Sequence, residues 1–269
     1  MAHPLDDADT SLLVQGASIF TVLSGTANVV MQLSRSEIGY AVKDSVVTEG
    51  NLFTSPARRR RTTAGYLAVA VLGTPEERAA FRRATNRSHA RVPGAFDPSL
   101  QLWVGACLYR GFEESWERLH GPLRGAEREE FYRQGIVLGG LLQMPLESWP
   151  DDRAAFEEYW QAGLAQARVD EAMRAYLMRI VRLEYVGRPV PRSVVRLREW
   201  LVAGNLPPQL RDQMQLTWTA RDQRRFDRFH AVVAFVVRRL PPRLRPWPLT
   251  KAMAGIRERL AEGRDLFVE

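Results

Sequence analysis

The stretch GTPEERAAFRRATNRSHA, residues 73–90, contains a helix start followed by a long, uninterrupted helical pattern. Thr74 and Glu77 have the spacing of a capping box, in which each side chain satisfies a backbone amide of the first turn. Pro75 stands at the first helical position, where its fixed φ and missing N–H suit the helix. We therefore expect a helix that runs from this start to about His89.

Similar starts and stops divide the rest of the chain. Asp97-Pro98 opens another helix, and prolines separate the later helices instead of interrupting them. Apolar spacing predicts further helices at about 125–143, 152–164, 168–185, 192–203, 207–216, 221–239 and 250–262. Strand signals are scarce, because the chain has no Asn-Gly or Asp-Gly hairpin and no regular alternation of apolar and polar residues.

These patterns predict an all-α fold, a single multi-helix globular domain that spans residues 1–269. A chain of 269 residues is long enough to bury a sizeable core. We expect this core to enclose a cofactor-sized pocket around His89. Residues 1–10 are expected to be disordered, and 35–56 to be the least regular internal stretch.

The segment Thr10–Ser34 carries no charged residue. A transmembrane helix is the alternative to consider, but Gln15, Asn28 and Gln32 make the segment too polar for a comfortable passage through hydrocarbon. We expect it to form buried helix that lines a pocket. The Pro/Arg-rich stretch 238–248 is interpreted either as a solvated connection between helices or as a peripheral membrane contact.

Charge and cysteine content narrow the class of protein. The net charge is +7, supplied almost entirely by arginines that alternate with acids along helical faces. Basic and aromatic residues do not interleave as in a base-stacking surface, so no nucleic-acid partner is expected. Cys107 is the only cysteine, and the acidic N-terminus lacks the basic start of a signal peptide. We expect a cytoplasmic protein.

Two of the four histidines fall on apolar helical stripes. His89 shares a helical face with Phe81 and Val92, and His230 follows Phe226 by four residues. Each of these two histidines is a candidate ligand, and the alternative for each is a core histidine with satisfied hydrogen bonds. The other two lie in the N-terminal segment and at a helix end, where His120 can favour the helix dipole.

An arginine is aligned with the apolar stripe of the preceding helix. Arg59 and Thr63 are four residues apart, and the same stripe continues through Leu67 and Val71. A guanidinium in such a place is costly unless it meets an anion such as a carboxylate, a phosphate or a propionate. The alternative is that Arg59 belongs to the basic run 58–61 and reaches water.

The sequence also contains a pattern that is typical of di-iron sites. Glu117-x-x-His120 and Asp227-x-x-His230 each place a carboxylate and an imidazole on one helical face, as in di-iron proteins. The first pair lies at a helix end, which does not suit a bundle site. Cys107 is either a thiolate ligand or, on its apolar stripe, a small core residue.

The motifs around these residues resemble the MpaB-like oxygenases, a family that includes the latex-clearing proteins, or rubber oxygenases, and the membrane-bound oxygenase of mycophenolic acid biosynthesis. The resemblance covers roughly residues 15–165 well and the C-terminal third loosely. It rests on Arg59-x-x-x-Thr63-x-x-Tyr66-Leu67-Ala68-Val69-Ala70, Gly73-Thr74-Pro75-Glu76-Glu77, His89-Ala90-Arg91-Val92-x-Gly94, Asp97-Pro98-x-Leu100-x-Leu102-Trp103-Val104, Gly121-Pro122-Leu123 and Phe156-x-x-Tyr159-Trp160.

This resemblance implies an all-helical, rubber-oxygenase-like fold with a buried haem-sized pocket and a non-covalently bound haem b. In the family, the histidine of the His-Ala-x-Val motif is the proximal iron ligand, which corresponds to His89 here. The arginine and threonine of the Arg-x-x-x-Thr motif lie in the haem pocket and correspond to Arg59 and Thr63. The implied reaction is oxidation or oxidative cleavage of an apolar, unsaturated small molecule by dioxygen or a peroxide.

One departure from the family pattern concerns the N-terminal region. Members often carry Gln-Leu-Ala-His-Pro, where this chain has Gln32-Leu33-Ser34-Arg35-Ser36, so Arg35 replaces a histidine. This departure puts in doubt a role of the loop in the chemistry. We also expect no secretion signal, unlike in the rubber-degrading members, so rubber is not carried over as the substrate. Two other functions stay open at this point, a haem or apolar-ligand binding protein without turnover and the di-iron oxygenase.

Overall fold

Helices account for nearly all regular structure in the computed structural model, which describes residues 4–45, 47, 51–92 and 94–267. No strand occurs within these ranges, which confirms the all-α prediction. The helices are α1 (Ser11–Gly16), α2 (Ile19–Leu33), α3 (Ser36–Lys43), α4 (Pro56–Leu72), α5 (Pro75–His89), α6 (Pro98–His120), α7 (Gly125–Gly135), α8 (Val137–Gly140), α9 (Arg153–Gln166), α10 (Glu171–Val181), α11 (Arg192–Asn205), α12 (Pro208–Gln213), α13 (Ala220–Arg239) and α14 (Trp247–Ala261). Short 3-10 turns lie at Leu146–Ser148, Glu184–Val186 and Pro242–Leu244.

The predicted helix starts are present. The Thr74 hydroxyl accepts a hydrogen bond from the backbone N–H of Glu77, while the Glu77 carboxylate accepts one from the N–H of Thr74, so α5 begins with a complete capping box. The Asp97 carboxylate caps α6 by accepting from the backbone N–H of Ser99. These caps satisfy amides that have no partner within the helix.

Helix α6 is the central element and packs against α1, α2, α7, α8 and α13. Its side chains are buried on several sides, with Trp103 and Tyr109 fully enclosed. A helix that is buried on most sides needs packing partners on those sides. α6 approaches α8 closely, because a Cβ on Gly105 would stand 2.8 Å from the Cα of Gly139, so glycine at both positions lets the backbones meet.

A buried ion network ties α9 to the middle of α6. The Arg153 guanidinium donates to both carboxylate oxygens of Glu113, at 2.6 and 2.9 Å. Arg110 donates to Glu113 and to Glu157, at 2.8 and 2.6 Å. The Tyr109 hydroxyl adds a third donor to Glu113. The Glu113 charge is thus removed from water but fully paired, which is the condition under which burial of a carboxylate is tolerated.

Two parts of the chain are more ordered than the sequence predicts. The prediction that residues 1–10 are disordered is wrong for 4–10, because Arg78 donates hydrogen bonds to the carbonyls of Leu5, Asp6 and Ala8; residues 1–3 lie outside the described ranges. The stretch 35–56, expected to be irregular, contains α3. Residues 46 and 48–50 of that stretch also lie outside the described ranges.

The uncharged segment folds as two helices, α1 and α2, and packs inside the domain as expected. Ser18 caps α2 and separates it from α1, so a single continuous helix does not form. Asn28 anchors α2 to α6 by donating to the carbonyl of Cys107. Within the described part of the chain, no helix is both long enough and apolar enough to cross a bilayer.

His230 is a buried core histidine on α13. Its ring packs among Phe20, Phe226 and Phe229. Its Nδ1 lies 2.8 Å from the carbonyl oxygen of Phe226, and since a carbonyl can only accept, Nδ1 carries the proton. The Nε2 atom is buried without a partner. Burial, with a contribution from the charge of Arg118, lowers the pKa of His230 to about 4.

Because His230 is buried in its neutral form, we expect the free energy of unfolding to fall at acid pH. The unfolded chain, with an ordinary histidine pKa of about 6.5, binds more protons than the folded chain between pH 6.5 and 4. Stability should therefore fall through this window as the pH falls, by about 3 kcal/mol in total from His230. Urea unfolding of His230→Phe should lack this part of the slope, whereas His120→Phe, at the exposed end of α6, should keep it. If the free energy of unfolding changed with pH equally in the wild type and both variants, the assignment of this effect to His230 would be contradicted.

Candidate functional site

A cavity of about 460 Å³ lies between α2, α3, α4, α5 and α6. This volume is within the usual range for small-molecule and cofactor sites. Most of the wall is apolar, formed by Leu33, Ile38, Ala41, Val42, Leu67, Phe81, Ala84, Leu100, Val104, Leu108, Leu142 and Phe267. The cavity is lined by His89, Arg59 and Thr63 as well, so the structure brings the three predicted site residues together.

His89 is the last residue of α5 and is half-buried at the cavity wall. Its Nδ1 atom is buried without a hydrogen-bond partner. Its ring meets Phe96 edge-on, with centroids 6.4 Å apart. Burial, and then the positive charge of Arg59, lower the pKa of His89. The imidazole is therefore neutral at physiological pH, the form in which histidine binds metal.

Arg59 projects from α4 into the same cavity. Its neighbours in the basic run, Arg58, Arg60 and Arg61, do not line the cavity. Protein atoms around the guanidinium desolvate it and lower its pKa, although the residue as a whole is exposed. No carboxylate of the described chain pairs with it.

Thr63 lies one helical turn after Arg59 on α4 and also lines the cavity. The adjacent Thr62 instead donates its hydroxyl to the backbone carbonyl of Arg59. Among the described residues the Thr63 hydroxyl has no partner, so it remains available to a bound molecule.

Gln101 is a cavity residue that sequence reasoning missed. It is 4% exposed, and its amide donates to the carbonyl of Ala95. Its carbonyl oxygen, Oε1, is buried without a partner. The residue stands in the first turn of α6, within the Asp97-Pro98 motif, but nothing in its spacing marked it as polar lining. It places an unsatisfied acceptor just behind the wall that α6 contributes.

The C-terminal tail closes another part of the cavity. Phe267 lines it and packs on Phe81, with ring centroids 5.2 Å apart. Asp265 pairs with Arg87 of α5 at 3.1 Å. This tail lies beyond the motif-bearing region of the sequence, so only long-range packing shows that it belongs to the site.

Other sequence candidates lie away from the cavity. Arg35, which replaces the family histidine, has its guanidinium carbon 5.9 Å from the Trp103 ring centroid and does not line the cavity. Only the end of α2, at Gln32 and Leu33, reaches it. Cys107 is fully buried in the core, and burial raises the pKa of its thiol well above the usual range, as expected for a small core residue.

The di-iron hypothesis finds no support in the geometry. Glu117 and His120 are exposed at the end of α6, and Asp227 is exposed on α13. The His120 Nε2 atom lies 3.2 Å from the carbonyl oxygen of Gln15. Across residues 4–45, 47, 51–92 and 94–267, no three histidine, cysteine, aspartate or glutamate side chains are grouped closely enough to hold a metal ion.

The residues around the cavity could hold a haem through one histidine. A neutral imidazole in the cavity wall is a suitable ligand to iron. A guanidinium without an anion partner suits a propionate, and the surrounding apolar wall suits a porphyrin face. A di-iron centre, by contrast, needs about four carboxylates, whereas the described lining residues include only Glu37 and Asp265.

Comparison with known proteins agrees with this fold. Residues 14–235 match the family described as the catalytic domain of the ER-bound oxygenase mpaB/B' and the rubber oxygenase. An uncharacterised protein of Mycobacterium bovis is 38% identical over 231 residues, which cover 82% of this chain and 91% of the relative. An uncharacterised protein of Mycobacterium tuberculosis has the same identity and coverage. No solved structure matches the chain. The chain therefore belongs to the family of MpaB-like and rubber-oxygenase catalytic domains.

Proposed function

We propose that this protein is a haem b-dependent oxygenase that acts on an apolar, unsaturated small molecule with dioxygen or a peroxide. One observation carries the proposal. The same apolar cavity is lined by a neutral imidazole that has no hydrogen-bond partner and by a guanidinium that has no carboxylate partner in the described chain. His89 is proposed to hold the iron, and Arg59 to bind a propionate. A cytoplasmic location, expected from the sequence, is part of the same proposal.

Haem bound in this way supplies the redox chemistry that no side chain of the cavity can provide. The chain itself would hold the haem in place and exclude water from the site. His89 fixes the group at the end of α5, and Arg59 orients it from α4. The leucine, isoleucine and valine side chains keep water from the bound substrate. Thr63 and Gln101 present polar atoms that orient a substrate or an oxygen-bearing ligand.

A haem- or apolar-ligand-binding protein without turnover is the competing function, because the cavity alone does not distinguish storage from catalysis. Oxygen consumption separates the two. Haem-loaded protein is mixed with unsaturated apolar compounds of graded chain length in an oxygen electrode, and products are identified by mass spectrometry. The proposal expects substrate-dependent oxygen uptake with oxygen incorporated into product. Stable haem binding with no uptake or peroxide-dependent product for any compound would favour the binding protein.

Arg59→Ala should weaken haem retention without abolishing haem binding. The variant loses one charge-assisted contact of about 1.5–3 kcal/mol, which corresponds to roughly 10- to 100-fold weaker retention, while the iron–imidazole bond remains. Transfer of haem to excess apomyoglobin, followed at the Soret band, measures this loss.

Arg60→Ala is the matched control, since Arg60 is adjacent on α4, carries the same charge and lies outside the cavity lining. Haem transfer from Arg60→Ala should equal that from the wild type. Equal transfer rates from Arg59→Ala and the wild type would show that no propionate binds at Arg59.

A further inference from the structure

Helix α13 carries apolar side chains on two opposite faces. One face packs into the domain and consists of Phe226, His230, Ala234 and Val237. The opposite face consists of Val232, Phe235 and Val236, which are 63%, 54% and 55% exposed. The first face accounts for the packing of the helix. The second, which we name the outer face, has no partner in the described chain.

The apolar surface continues beyond the helix into the loop that follows. Leu240, Leu244 and Trp247 are exposed there. Arg245 holds this loop against the end of α13, because its guanidinium donates to the backbone carbonyls of Leu240 and Arg238. The outer face and the loop therefore form adjoining parts of one apolar surface.

The stretch of chain that forms this surface carries charges of a single sign. Residues 228–256 contain five arginines and one lysine but no aspartate or glutamate. Arg228 precedes Val232 by one helical turn, and Arg239 follows Val236 by nearly one turn, so both lie along the outer face. The Arg239 guanidinium covers the Phe235 ring, 3.2 Å from its centroid. The apolar side chains are thus flanked by positive charge.

We propose that the outer face of α13 and the following loop dock on the surface of an anionic phospholipid bilayer. Aliphatic, phenylalanine and tryptophan side chains enter the boundary between headgroups and acyl chains, and arginines pair with the phosphates above it. An anionic bilayer complements the positive charge of this surface, whereas a second copy of the chain does not. A symmetric dimer through this surface would place the same positive patch against itself. The proposal is independent of the haem hypothesis.

Vesicle flotation tests the docking directly. The purified full-length protein is mixed with vesicles of phosphatidylcholine alone or with 30 mol% phosphatidylglycerol. We expect flotation with the anionic vesicles and little with the neutral ones. Phe235→Ser/Trp247→Ser should weaken the binding at least tenfold, because both side chains are exposed and would otherwise enter the bilayer.

The charges are tested by Arg228→Gln/Arg243→Gln. Each arginine near an anionic surface strengthens binding about fivefold, so we expect about 25-fold weaker binding from the pair. Arg124→Gln/Arg128→Gln, on or beside α7, removes the same charge from another surface and should bind like the wild type. Circular dichroism and thermal unfolding show whether each variant is folded.

Three results would overturn the proposal. One is the absence of flotation with anionic vesicles. Another is unchanged flotation of the folded Phe235→Ser/Trp247→Ser variant. The third is a concentration-dependent dimer, seen by analytical ultracentrifugation, that this double variant abolishes, because it would identify a second copy as the occupant.

Discussion

His89→Ala should abolish stoichiometric haem binding while leaving the helical content of the protein unchanged. The imidazole is the one orphaned histidine side chain in the cavity wall among the described residues, so its removal takes away the proposed bond to iron. The fold should survive, because the His89 side chain forms no hydrogen bond in the described chain and stands at the end of α5. Absorption spectra after haem addition and circular dichroism measure the two effects.

The matched control for this variant is His120→Ala, since His120 lies at an exposed helix end outside the cavity. It should bind haem like the wild type. Added imidazole should restore a haem spectrum to His89→Ala by occupying the vacated position. A full Soret band in His89→Ala with unchanged ligand-field bands would show that another residue holds the iron.

Glu113→Gln should lower the free energy of unfolding by about 3 kcal/mol, the lower end of the cost of breaking a buried ion pair. The substitution leaves Arg153, whose side chain is 3% exposed, without its bidentate carboxylate. The loss is limited because Glu157 remains 2.9 Å from the Arg153 Nη1 atom, although without hydrogen-bond geometry. A fall in Tm of roughly 6 °C is expected for a domain of this size.

The matched control is Glu184→Gln, which breaks the exposed Arg179–Glu184 pair at 3.1 Å. Because water solvates both of those charges, the change should be below about 1 kcal/mol. Urea unfolding of the two variants gives the comparison. A loss in Glu113→Gln no larger than that in Glu184→Gln would mean that the network contributes nothing to stability.

The helices could be predicted because their signals are local. The capping box at Thr74 and the Asp97 cap depend on neighbours within three residues, and both appear where expected. The ordered N-terminal segment could not be predicted, because Arg78 holds it from more than 65 residues away. Likewise, α3 begins after Arg35 without a cap from a side chain.

The residues of the site also fall into those that could be predicted from the sequence and those that could not. The apolar stripes and the family motifs predicted His89, Arg59 and Thr63, and the structure places all three at one cavity. Gln101 and Phe267 could not be predicted. The orphaned oxygen of Gln101 results from how α6 packs, and Phe267 reaches the cavity only after the chain has folded back on α5.

Titration of haem b into the purified wild-type protein tests whether the cavity binds this cofactor. We expect a Soret band that rises linearly and saturates at one haem per chain, with the spectrum of haem held by one imidazole. A titration that produces no protein-dependent Soret band, or one that never saturates at a fixed ratio, would contradict this expectation. Protein-bound iron without a Soret band would contradict it as well and would point to a non-haem centre.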